Sequence, residues 1–144
     1  MKEKIMVSSC ILGNNTKYNG GNNYNPLMEK IKEKYEIIVI CPEVMGGLSI
    51  PRNPSEINDN IVISNKGIDV TYEFNKGADI AYQLALKHNI KKDILKDGSP
   101  SCGSKYIYDG TFTGTKIEGK GVAVKKLLEL GITIYTEKEI EKLL

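Results

Sequence analysis

Apolar positions along the chain fall into short, strand-length runs that alternate with stretches of helical period. Residues 4–9 form the first run, which stops at Cys10 and opens into a loop rich in glycine and asparagine through Gly13, Asn14, Asn15, Gly20, Gly21, Asn22 and Asn23. Asn25 then supplies an N-cap and Pro26 a first helical residue, and Leu27, Met28 and Ile31 form the stripe of a helix reaching about residue 34. Residues 35–40 are a β-branched run too short for a helix, ending at Cys41-Pro42. From 44 to 59, Gly46, Gly47, Pro51 and Pro54 predict loop with one helical turn, and residues 61–64 and 68–70 around Asn65-Lys66-Gly67 predict a small hairpin. Asp69 or Thr71 caps a helix running to about residue 88, with Ala78, Ala81, Tyr82 and Ala85 on one face. A brief strand at 93–95 precedes Gly98 and Cys102, and a loop rich in tyrosine, threonine and glycine comes next. Residues 119–130 carry Val124, Leu127 and Leu128 on one face and stop at Gly131, a natural residue for a helix end; 132–135 is the next strand. Thr136 and Glu139 form a capping box for a last helix carrying Ile140, Leu143 and Leu144.

Strands alternating with helices predict an α/β fold, a parallel Rossmann-like sheet flanked by helices with a small hairpin excursion. In such folds ligands bind outside the carboxyl ends of the strands. Cys10, Cys41 and Cys102 all come just after predicted strands, so three distant positions are expected to converge at one sheet edge without any local motif.

Composition narrows the function. The chain has 144 residues, 40% hydrophobic and 26% charged, which suits one domain with a buried core. A net charge of +2 leaves no surplus for wholesale phosphate-backbone binding, so no large nucleic acid is expected as a partner, although a small anionic ligand fits. No run approaches the roughly 18 apolar residues of a membrane span. The apolar stretch near the start is short, interrupted by serine and without a small-residue cleavage site, so the chain is expected to be cytoplasmic.

In that compartment three cysteines argue against a structural disulfide, because thiols stay reduced and an odd number leaves one unpaired. There is no Cys-x-x-Cys pair to suggest a zinc knuckle or a bacterial ferredoxin. The plain alternative is three small buried hydrophobes. A structural zinc would want a fourth protein ligand, and the single histidine, His88, falls at a helix end where solvation or carbonyl capping accounts for it. An iron–sulfur cube takes thiolates as its natural ligands, and three of them would leave one iron open as a Lewis acid.

The chain resembles the DUF523 family, which includes thiouracil desulfidases, through Val7-Ser8-Ser9-Cys10-Ile11-Leu12-Gly13, Cys41-Pro42-Glu43-Val44-Met45-Gly46-Gly47-Leu48, Pro51-Arg52, Gly67-Ile68-Asp69-Val70-Thr71, Ser99-Pro100-Ser101-Cys102-Gly103 and Ile107-Tyr108-Asp109-Gly110-Thr111-Phe112. The match covers nearly the whole chain, with residues 1–144 read as a single domain. The resemblance implies a [4Fe-4S] cluster held by Cys10, Cys41 and Cys102, its fourth iron free to take sulfur from thiouracil or from a 4-thiouracil nucleoside or nucleotide, with sulfide released without redox change. The family pattern often has Asp after the early tyrosine, where this chain has Asn19, and a basic residue before Ser-Pro-Ser-Cys, where it has Gly98.

Desulfuration also needs an activated water and donors that steady developing charge. Glu43, two residues past Cys41, is expected to act as acid and base beside an anionic cluster; the resemblance points to it as catalytic. Otherwise it caps a turn. Ser101 is expected to donate to the substrate, with Ser9 and Ser104 as further short donors whose ordinary role is to satisfy turn backbone. Lys17, Arg52 and Lys105 lie on the predicted rim, where they would hold a phosphate or else be solvated charges. Tyr106, Tyr108 and Phe112 either stack on a pyrimidine or pack on the core. Gly46, Gly47 and Gly103 allow close backbone approach to a bulky ligand. The readings from other classes are a cluster- or thiol-based redox or metal sensor without turnover, an electron carrier, and a zinc hydrolase.

Overall fold

A computed structural model describes residues 2–144. Its centre is a four-stranded parallel sheet in the order β2-β1-β5-β8, formed by β1 (Glu3–Ser8), β2 (Tyr35–Ile40), β5 (Lys92–Leu95) and β8 (Thr133–Thr136). β1 and β2 run side by side from Glu3↔Tyr35 to Ser8↔Ile40. Helices cover both faces of the sheet, so inner strands are apolar at consecutive positions instead of alternating. Ile5 and Val7 pack toward α1 (Met28–Lys34) with Ile11, Ile31 and Ile94. Met6 and Leu95 face the other way, among Ala81 and Ala85 of α3 (Thr71–Lys87) and Val124 and Leu127 of α4 (Val122–Leu128). Parallel strands require crossovers, and α1, α3 and α4 supply them. Among the described residues no helix is long and apolar enough to cross a membrane.

Several local expectations change in the structure. A hairpin within the segment expected to be loop joins β3 (Ser55–Asn58) to β4 (Ile61–Ser64). Its turn is built on Asp59, which accepts the left-handed backbone (φ 57) that a two-residue connection needs. The expected pairing of 61–64 with 68–70 forms in a short version, with the Ile63↔Asp69 bridge flanked by the Ser64 N–H donating to Ile68 O at 2.8 Å and the Val70 N–H to Val62 O at 2.9 Å; Asp69 Oδ1 then accepts the Thr71 N–H and the chain turns into α3. The loop after Cys102 holds a second hairpin, β6 (Tyr106–Tyr108) with β7 (Lys116–Glu118). Asn25 Oδ1 accepts the Leu27 N–H in the turn that precedes the first helix, but the α-helix starts at Met28, with Leu27 and not Asn25 at its N-cap. The Thr136–Glu139 capping box forms, with the Thr136 N–H donating to Glu139 Oε1 at 3.0 Å. Beyond the box, Ile140–Leu143 form a 3₁₀ turn instead of an α-helix, with the Leu144 N–H donating to Glu141 O at 3.2 Å.

Candidate active site

The carboxyl ends of β1, β2 and β5 open on a cavity of about 680 Å³ whose walls include Cys10, Cys41, Cys102, Glu43 and Ser101. Each cysteine is presented by a differently built turn. Cys10 lies in a 3₁₀ turn, Ser9–Leu12, closed by Gly13 in the left-handed region at φ 96. Asn23 holds it twice: its backbone N–H donates to Cys10 O at 2.9 Å and its Nδ2 to Cys10 Sγ at 3.3 Å. Cys41 comes directly after β2 and leads into α2 (Pro42–Met45). That short helix is pinned by two glycines, since a Cβ on Gly77 of α3 would collide with the Pro42 carbonyl and one on Gly46 with the Glu73 carbonyl. Cys102 sits in a turn organised by buried Asp97, whose Oδ1 accepts the N–H groups of Gly98, Ser104, Lys105 and Tyr106.

The thiols feel burial and one another. Burial pushes the Cys102 thiol up to about 12, with Ser8 and Ser101 hydrogen bonds working against the rise and the charges of Glu43 and Cys10 adding to it. Burial likewise raises Cys10; the Asn23 hydrogen bond and the Lys96 charge oppose that rise, and Cys41 reinforces it. Cys10 is thus in electrostatic reach of both other thiols, and the cluster of three sulfurs has no imidazole beside it. His88 lies at the far end of α3, with Nδ1 3.4 Å from Lys4 Nζ. Among the described residues no three Cys, His, Asp or Glu side chains close around a single metal ion. Three soft thiols spread around a roomy cavity suit a multi-iron cluster, each sulfur meeting a different iron, better than one zinc ion. The donor set therefore fits an iron–sulfur group.

Glu43 stands on the same wall, its side chain 15% exposed and paired with Arg52, whose own is 8% exposed. Arg52 Nε donates to Glu43 Oε1 at 3.0 Å. The other carboxylate oxygen faces two hydroxyls, Ser101 Oγ at 2.9 Å and Ser99 Oγ at 3.3 Å, which are themselves 2.8 Å apart. Ser101 Oγ also lies 3.6 Å from Cys102 Sγ.

The profile of the 2-thiouracil desulfurase family matches residues 5–139. The chain belongs to that family. It is 36% identical to YbbK, an uncharacterized protein of Bacillus subtilis (strain 168), over 97% of this chain and 99% of that protein. Its backbone superposes on the solved structure of TudS, a [4Fe-4S]-dependent thiouracil desulfidase, with a TM-score of 0.93 and 39% identity, covering 99% of this chain and 95% of that one.

For this desulfurase-family chain, the cavity gathers most of the residues expected from sequence: the three cysteines, Glu43, Ser101, Ser9, Lys17, Arg52, Tyr106, Tyr108 and Phe112. Ser104 and Lys105 are not on its walls. The Ser104 N–H is spent on Asp97, and Lys105 Nζ reaches out to Glu139 at 3.2 Å. Arg52 is present but committed, giving Nε to Glu43, one terminal nitrogen to Thr16 O and the other to Ser49 O. Lys17 forms no ion pair among the described residues. Ser9 Oγ accepts from Asn14 Nδ2 at 3.1 Å, a side-chain contact in place of the turn-backbone bond expected of it. Gly46 and Gly103 make their close approaches to protein backbone, Gly103 to Ser99 O and Tyr106 O, instead of to a ligand. Sequence reasoning missed Asn23, Ser99, Asp97 and Lys96. For Asp97 a signal existed, since Asp-Gly announces a side chain that caps backbone N–H groups.

Proposed function

We propose that residues 1–144 act as one domain that removes sulfur from thiouracil, or from a 4-thiouracil nucleoside or nucleotide, and releases it as sulfide. The chain is a desulfidase by family, and its cofactor is a [4Fe-4S] cluster. Cys10, Cys41 and Cys102 would hold that cluster. An iron without a protein ligand supplies a sulfur-seeking Lewis acid when the cluster is bound. Glu43 then serves as the proton-handling group of the wall. Ser99 Oγ and Ser101 Oγ both contact Glu43 Oε2 and lie 2.8 Å from each other, so the carboxylate is joined to a short chain of hydroxyls. A water deprotonated by Glu43 is the nucleophile for the ring carbon, and the same proton can be returned to the departing sulfur. Arg52 fixes the direction of the carboxylate through Oε1. Ser101, between Glu43 and Cys102, orients the substrate's polar edge.

The observation that supports this reading most is that three cysteines separated by 30 or more residues line one cavity together with an ion-paired glutamate. It is tested by anaerobic reconstitution with iron and sulfide, and then by sulfide release from 2-thiouracil and from a 4-thiouracil nucleotide. About four irons and four sulfides per chain are expected, with turnover. Cys10→Ser, Cys41→Ser and Cys102→Ser should each lose cluster absorbance and activity together, and Glu43→Ala should keep the absorbance and lose turnover. Full activity in any cysteine variant removes that residue from the ligand set.

A further inference from the structure

Four aromatic rings line the cavity, Tyr18, Tyr106, Tyr108 and Phe112, and they are not equivalent. Tyr106 and Tyr108 meet edge to face with ring centres 6.1 Å apart. Lys116 Nζ stands 4.7 Å from the centre of the Tyr106 ring. Tyr106 also closes on Gly98, where even a Cβ would come within 2.7 Å of the ring. These two rings are engaged by protein. Tyr18 and Phe112, 43% and 39% exposed, have no aromatic or cationic partner among the described residues, and of these two Phe112 is the one whose backbone is held in an unusual conformation.

The backbone of Phe112 is equally unusual. Its φ of 58 lies in the left-handed region, which a bulky side chain adopts where its surroundings impose it. The imposing group is Glu56 on β3: one oxygen, Oε1, accepts the N–H of Gly110 at 3.0 Å and that of Phe112 at 3.2 Å. Gly110, at φ 94, has no room for a Cβ, which would press on the Ile57 carbonyl at 2.9 Å. Hydroxyl contacts of 2.6 Å between Thr111 and Thr113 and 2.8 Å between Thr113 and Thr115 close the loop on itself. A strained, clamped loop that turns an unpartnered ring into a cavity is built to present that ring to a ligand.

We infer that Phe112 is the substrate-stacking residue of this site and that Glu56 is its positioning residue. The inference rests on the desulfidase function proposed above. A thiolated pyrimidine is planar and polarizable, the kind of ring that stacks on a phenyl face, and Phe112 offers no hydrogen bond, so it contributes to holding the ring rather than to proton transfer.

The test compares wild type, Phe112→Ala, Phe112→Leu, Phe112→Tyr, Glu56→Ala, Glu56→Gln and the double variant Glu56→Ala/Phe112→Ala, all anaerobically reconstituted and matched for iron content. Steady-state sulfide release from 2-thiouracil gives kcat and KM, and calorimetric titration with uracil gives a binding constant independent of turnover. Loss of a base–aromatic stack predicts a rise of about tenfold in KM and in the uracil Kd for Phe112→Ala, with kcat within about twofold of wild type. Phe112→Tyr and Glu56→Gln, which keep a ring and an acceptor respectively, should stay near wild type. Glu56→Ala should raise KM as Phe112→Ala does, and the double variant should be no worse than either. Unchanged KM and Kd in Phe112→Ala, or a Phe112→Leu variant equal to wild type, overturns the stacking role while wild-type turnover leaves the desulfidase function standing. Absence of sulfide release from wild type overturns both.

Discussion

Replacing Asp93 by Asn makes the stability of this protein less dependent on pH, and the size of the effect is set by where the residue sits. Asp93 is in the middle of β5, opposite Met6 on one side and Ile134 on the other, and is 0% exposed. Strand alternation turns it to the same face as Leu95, toward the apolar layer of α3 and α4. Neither carboxylate oxygen has a hydrogen-bond partner. With no facing charge to offset it, burial alone pushes the carboxyl from an ordinary 3.8 to about 8. The folded protein therefore carries Asp93 protonated at neutral pH, whereas the unfolded chain has released that proton. The group favours the fold fully below about pH 4; that contribution falls as pH rises and is exhausted a little above pH 8. Each pH unit inside the window is worth about 1.4 kcal/mol, so between pH 6 and 8 wild type should lose about 2 kcal/mol relative to Asp93→Asn, which cannot ionise. Urea unfolding of both proteins at pH 6, 7 and 8, monitored by circular dichroism, gives the difference directly, because every other titrating group is shared. A difference that stays flat across those pH values refutes the reasoning and means that the carboxylate has a charged or hydrogen-bonding partner.

Two further substitutions probe the supports of the proposed cluster site. Gly77→Ala in the middle of α3 should destabilise by about 1–3 kcal/mol in urea unfolding, although helix propensity alone would favour alanine by about 1 kcal/mol, because the added methyl meets the Pro42 carbonyl; iron content should fall with it as Cys41 is displaced. Asn23→Ala removes the amide donor to Cys10 Sγ, and the reconstituted protein should yield iron to a chelator about 10–100-fold more readily while its reduction potential moves to more negative values.

How much of the molecule is legible in its sequence depends on the range over which each feature is decided. The runs ending at Cys10 and Cys41 are local, and β2 falls on the predicted residues 35–40, because a β-branched run bounded by a helix end and a proline has few alternatives. The parallel sheet could be read from alternation with helices, and convergence of the cysteines from the sheet, since carboxyl ends of neighbouring parallel strands share one edge. The hairpin β6–β7 was illegible because β7 is Lys-Ile-Glu with all three residues exposed, so no face of it reports burial. Arg52 is the instructive case. A basic residue on a rim suggests a phosphate ligand, yet its guanidinium is bound across a turn to Glu43, nine residues earlier, and to the Thr16 carbonyl, 36 residues earlier. Similarly Ser99, 56 residues from Glu43, gained its role when the turn after β5 folded over the turn after β2. Residue type announces what a polar side chain can bond. Which bond it makes is decided by the loops that face it, and loops were the part of this chain whose periodicity carries no signal. That is why the thiols of the site were readable from sequence, whereas the groups that aim Glu43 and hold Cys10 required the fold.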